Sequence, residues 1–233
     1  KKSLRASYWD GVGASVMLGL TQDYIIPYAL ALKATVKQIG LLSSLPNLCA
    51  SLIQLKSADF TERLSSRKRI ILISVFLQAL TLLPILLIPY YRKVSPAVML
   101  IILVILFTGF GAVSLGAWLS LMSEYIPTYK RGQYFGWRNR TLGFVAVVSA
   151  LFAGMILQIY KNNVLLGFLI ILMLALLARM SCCYFLALMY EPKFKASHES
   201  YFSFIDFLKR ARESDFARFA FFVSSLNFCV NLA

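Results

Sequence analysis

The chain has 233 residues, 59% of them hydrophobic and only 15% charged, with positive mean hydropathy and a formal net charge of +14. Soluble domains carry about 25% charged residues, so an ordinary water-soluble domain is excluded. The positive surplus falls in short loops between apolar runs, which sets membrane orientation and argues against a nucleic-acid partner.

Apolar runs of about 20 residues recur along the chain, as in polytopic helical membrane proteins. The expected fold class is therefore all-α, a membrane helix bundle with six complete transmembrane helices and part of a seventh. Residues 1–10 read as a short basic lead. Span 1 is expected at 11–32, span 2 at 39–55, span 3 at 70–88, span 4 at 97–122, span 5 at 142–159 and span 6 at 164–190. Three units follow: a six-helix bundle (1–190), a linker (191–216) and the start of a second half (217–233). The run at 217–233 ends with the chain, so the sequence reads as a piece of a longer protein.

Most of the 24 Lys and Arg residues fall at the N-terminus, after spans 2 and 4, and after span 6. That bias puts those segments and the N-terminus in the cytoplasm, and the multi-pass chain in the cell membrane. In the linker, Ser203-x-x-Asp206 resembles a helix start. Phe204, Leu208 and Ala211 follow at helical spacing, which predicts an amphipathic helix on the membrane surface.

The densest polar motif is Glu124-x-x-Pro127-x-x-x-Arg131-Gly132-x-x-x-Gly136, between spans 4 and 5. Pro127 stops the preceding helix because it cannot donate the next helical hydrogen bond. This spacing resembles the loop between helices 4 and 5 of major facilitator superfamily transporters. The segment from Ala58 to Arg69, with Glu62-Arg63-Leu64-Ser65 at its centre, resembles that family's loop between helices 2 and 3. The resemblance covers essentially the whole chain. It implies the N-terminal half of a twelve-helix secondary transporter that moves a small solute by alternating access. It further implies a cytoplasmic gate, with Asp59, Glu62, Arg63, Arg67, Arg69, Glu124 and Arg131 as candidates. Two family features are missing. The residues before Gly109-Phe110-Gly111 in span 4, Leu103 to Phe107, are all apolar where some proton-coupled members carry an arginine, and span 5 has no proline, which counts against a typical drug/proton antiporter.

Span 1 carries the richest chemistry. On a helical wheel Ser15, Gly19, Gln22 and Asp23 share one arc, and Thr21, Tyr24 and Tyr28 lie opposite. With span 1 starting at residue 11, Asp23 is the one acid well inside a complete span. A buried carboxylate there needs water, a cation or a proton, so Asp23 is a candidate for a coupling proton or a cationic part of the substrate, with Gln22 beside it. The alternative is a structural pair between Asp23 and Arg179, the base inside span 6. Span 2 carries Ser43, Asn47, Ser51 and Gln54 on one side, which lines a cavity or bonds between helices. Ser74, Gln78 and Thr81 in span 3 and Ala146, Ala150 and Gly154 in span 5 read as packing surfaces.

Cys49, Cys182, Cys183 and Cys229 have no metal-ligand spacing and read as packing residues. With one histidine, His198, the chain offers no metal motif and no serine–histidine pair, so neither an enzyme nor a cofactor is expected. The expected partners are the lipid bilayer, a small-molecule substrate and, through Asp23, protons. The chain is expected to be a monomer. A helical channel or receptor is the alternative to a transporter.

Overall fold

The computed structural model describes residues 2–55, 66–91, 95–191 and 214–232. Two compact units divide the chain, Lys1–Phe194 and Lys195–Ala233. The described residues are mostly helical and contain no strand.

In the first unit the helices are α1 (Lys2–Thr21), α2 (Ile25–Ala31), α3 (Val36–Leu55), α4 (Arg67–Leu87), α5 (Pro96–Tyr125), α6 (Thr128–Ile159) and α7 (Val164–Ala187). The second unit contributes α8 (Asp215–Leu232), where Asp215 and Arg218 pair across 3.6 Å at the surface. The expected amphipathic helix around Phe204 lies outside the described residues, as do Asp59, Glu62 and Arg63.

Helix ends follow local chemistry. Ser66 caps α4 by accepting from the Arg69 amide at 3.2 Å, and the Asn163 side chain caps α7 through the Leu166 amide. Pro96 opens α5, where its missing N–H costs no hydrogen bond. Pro127 sits between α5 and α6 with an extended backbone and separates two otherwise continuous helices.

The bundle departs from the expected spans in three places. Span 1 is two helices, because residues 22–24 form a turn. Pro27, in the first turn of α2, cannot donate to the Asp23 carbonyl, and its ring disfavours a helix running through that point. In the other direction, α1 starts at Lys2, so the basic lead is helical, and α6 starts at Thr128, well before residue 142. Charged residues placed in loops by the sequence therefore sit on helices inside the bundle.

Among the described residues, four segments are long and apolar enough to cross a membrane: Arg67–Tyr90, Pro96–Tyr125, Thr128–Ile159 and Lys161–Ala187. The break after Thr21 divides the first span, and the polar stripe of α3 lowers its hydropathy. On α6, Phe144, Leu151 and Met155 are exposed, a surface that suits lipid.

The helices pack in the series α3, α5, α4, α7, α1, α6. Two apolar clusters fill the interior. One holds Leu82, Ile85, Leu100, Phe168 and Ile171; the other holds Ile71, Val75, Leu121, Met122 and Met189, toward the basic end. Between them lies a buried polar layer containing Asp10, Ser74, Gln78, Ser114 and Arg179.

Candidate functional site

That polar layer borders a cavity of about 480 Å³. Every helix of the first unit except α2 lines it: Asp10 and Ser15 from α1, Asn47 and Gln54 from α3, Gln78 from α4, Ser114 from α5, Arg138 from α6 and Arg179 from α7. The volume falls in the range of roughly 300–1,000 Å³ typical of small-molecule sites.

Its charged residues are held in place by packing and hydrogen bonds. Arg179 is buried, and its Nη2 donates to the amide Oε1 of Gln78. Arg138 is buried too. Its guanidinium lies 4.4 Å from the Trp118 ring centroid and donates from Nη2 to the Ser7 carbonyl at 3.3 Å. Asp10 is within electrostatic reach of both arginines. Cys182 Sγ donates to the Asp10 carbonyl at 3.3 Å, so this cysteine is more than apolar filler.

Two glycines make room for this arrangement. A Cβ on Gly11 would lie 2.4 Å from the Arg138 Nη2, and one on Gly111 would lie 2.7 Å from the Gln78 Nε2. These are closer than side-chain atoms approach, so the positions of Arg138 and Gln78 depend on glycine opposite them.

Asp23 stands elsewhere. It is exposed at the turn between α1 and α2 and does not pair with Arg179, whose side-chain partner is Gln78. Asp23 and Gln22 line a separate groove of about 680 Å³ between α1 and α6, with Gly19, Ala146, Ala150 and Gly154. Tyr24, expected on the opposite face, also lines this groove and donates from its hydroxyl to the Ala150 carbonyl at 2.6 Å. A continuous helical wheel fails across the turn at 22–24. Ser15 belongs to the cavity, so the expected arc is split between two sites.

On α3 the hydroxyls of Ser43 and Ser51 and the amide of Asn47 donate to carbonyls one turn back in the same helix. These three side chains thus bond within α3, and Asn47 and Gln54 line the cavity. Gln78, read as packing, both lines the cavity and holds Arg179.

At the basic end, Arg67 pairs with Glu124 at 2.5 Å. Arg131 does not join this pair: its Nε donates to the Ile126 carbonyl at 3.0 Å and its Nη2 to that of Ser123, closing the end of α5. Those carbonyls have no helical donor left, so a neighbouring guanidinium satisfies them. Arg69 is exposed. Glu191 accepts from the Ser66 hydroxyl at 2.7 Å and the Lys68 amide at 3.1 Å, at the start of α4. In return, Lys68 Nζ donates to the Ala187 and Met189 carbonyls at 2.7 and 2.6 Å, at the end of α7. Each charge sits at the helix pole that favours it.

The family model described as Major Facilitator Superfamily matches residues 12–233. The chain belongs to the major facilitator superfamily. No curated protein and no solved structure matches it. Membership makes it a multi-pass membrane transporter of the major facilitator kind, working in a lipid bilayer on a small-molecule substrate.

The sequence reading missed Asp10, Arg138 and Gln78 as cavity residues. A signal for Asp10 was present: Ser7, Asp10, Gly11 and Ala14 are small or polar at helical spacing and run directly into Ser15. Assigning residues 1–10 to a loop hid it.

Proposed function

We propose that this major facilitator chain supplies the N-terminal half of a secondary active transporter that moves a small solute across the cell membrane by alternating access. The N-terminus faces the cytoplasm, and the protein works as a monomer. The observation that carries this reading is the cavity to which six helices of an otherwise apolar bundle contribute polar or charged side chains. Polar and charged groups inside a membrane are costly unless they serve a pathway or a partner. Transporters of this architecture bind solute near mid-membrane, between halves that rock against each other.

The Arg67–Glu124 bridge ties the start of α4 to the end of α5 at the basic end, which supports a latch on that side of the half. Asp23 and Gln22, on the α1–α6 groove, are the candidates for a coupling proton or a cationic part of the substrate. A channel or receptor bundle would need no such latch, and the family match favours transport.

Cysteine labelling tests the reading. In a background free of Cys49, Cys182, Cys183 and Cys229, cysteines at positions 66 and 132 should react with an impermeant maleimide only from the cytoplasm, and one at 93 only from outside. Asn47→Cys should react from both sides, because the cavity opens to each in turn. An Asn47→Cys protein open to one side only would argue against alternating access. The reverse pattern at 66, 132 and 93 would invert the orientation.

A further inference from the structure

We propose that the cavity binds an anionic group of the transported solute, a carboxylate or a phosphate, between Arg138 and Arg179. The proposal rests on the transport reading and names the class of solute.

The charge balance comes first. Among the described lining residues, Asp10 is the sole acid, against two guanidinium groups. The cavity therefore holds one uncompensated positive charge inside an apolar bundle, and a buried charge of that kind calls for a counter-charge. An anionic solute supplies it. A cationic solute would double the imbalance.

The donor geometry agrees. Each arginine donates from Nη2, to Gln78 for Arg179 and to the Ser7 carbonyl for Arg138. The Nε of each is buried and meets no acceptor in the bundle. A buried N–H without an acceptor costs free energy. Nε and an Nη form the edge of the guanidinium fork that matches the two oxygens of a carboxylate or phosphate. Both side chains are more than nine-tenths buried, at 8% and 6% exposure, and both border the cavity.

The remaining lining suits the neutral part of such a solute. Asn47 and Gln54 offer amides, Ser15 and Ser114 offer hydroxyls, and Phe107 and Trp118 offer rings. Gly11 and Gly111 keep Arg138 and Gln78 in their positions, because a Cβ at either would collide with those side chains.

The test is thermal unfolding of the purified protein in detergent, with inorganic phosphate, succinate, glucose or choline added. Phosphate stabilises most folded proteins non-specifically, so the readout is the difference between wild type and variants. Phosphate or succinate should raise the wild-type Tm saturably, and glucose and choline should not. Whichever anion saturates identifies phosphate or carboxylate chemistry. Arg138→Gln should weaken the half-saturating concentration at least tenfold. If that variant does not fold, Asp10→Asn decides: it removes the competing carboxylate and should strengthen anion binding severalfold. Equal anion shifts in wild type and Arg138→Gln, unchanged binding in Asp10→Asn, or a saturable response to choline would each overturn the proposal, leaving both arginines as structural ties. A protein whose Asn47→Cys is labelled from both sides but which shows no saturable anion response would refute the anion site alone and keep the transport reading.

Discussion

The side-chain amide of Gln78 accepts a hydrogen bond from the Arg179 guanidinium and joins α4 to α7 in the buried middle of the bundle. Gln78→Leu removes that acceptor and leaves the cation short of a partner. Such a loss costs about 1–3 kcal/mol, so Tm in detergent should fall by several degrees. Arg179→Met combined with Gln78→Leu should be less destabilised than the two single changes added together, because neither orphan remains. Strict additivity would show that the bond contributes nothing.

Gly19 faces the backbone of α6. A Cβ there would stand 2.3 Å from the Ala146 carbonyl oxygen, which cannot swing aside as a side-chain tip can. Gly19→Ala should force the two helices apart and lower stability by about 1–3 kcal/mol. Gly143→Ala meets nothing within 4 Å and should be neutral or mildly stabilising. Thermal unfolding of the two variants side by side checks this; equal Tm values would contradict the close packing.

The ion pair at the basic end calls for a functional assay. Glu124 is 39% exposed and Arg67 12%, so solvent screens part of their attraction. A pair of this kind is worth about 0–1 kcal/mol, enough to bias two conformations without locking either. Glu124→Arg or Arg67→Glu alone should reduce transport, and the double reversal should restore a substantial part of it. A double reversal as inactive as the singles would remove the latch.

Asp23→Asn should leave a stably folded protein, since the carboxylate is exposed at a turn and pairs with no buried cation. Under the proposed coupling role, transport by that variant should be lost or stop responding to pH. Transport in vesicles across a range of external pH measures this, and a normal pH-dependent rate would rule the role out.

The bundle was legible in the sequence wherever hydrophobicity alone decides. The runs that became α4, α5 and α7 were long and apolar, and Pro127 marked the boundary of α5 and α6. The candidate site was only half legible. Asn47, Gln54 and Ser15 were singled out because polar groups on an apolar helix stand out. Asp10 and Arg138 were not, because hydropathy drops where a helix carries charge, although the backbone continues unbroken. The wheel through span 1 failed for another reason: Pro27 acts on residues before it, so the arc joining Ser15 to Asp23 crosses a point where the helix is already interrupted. Gln78 became informative only once Arg179, 101 residues later, was placed beside it.

The reciprocal caps formed by Ser66, Lys68 and Glu191 also bear on the order of events during synthesis. The hydroxyl–carboxylate bond spans 125 residues, and chains grow at about 5–20 residues per second, which makes the interval roughly 6–25 s. Throughout that interval the first turn of α4 has its own serine cap but not the carboxylate. It is completed only when the end of α7 emerges and lies against it. The end of the last helix thereby completes the cap of an early one, and a chain that stops before residue 191 leaves that helix without its acid.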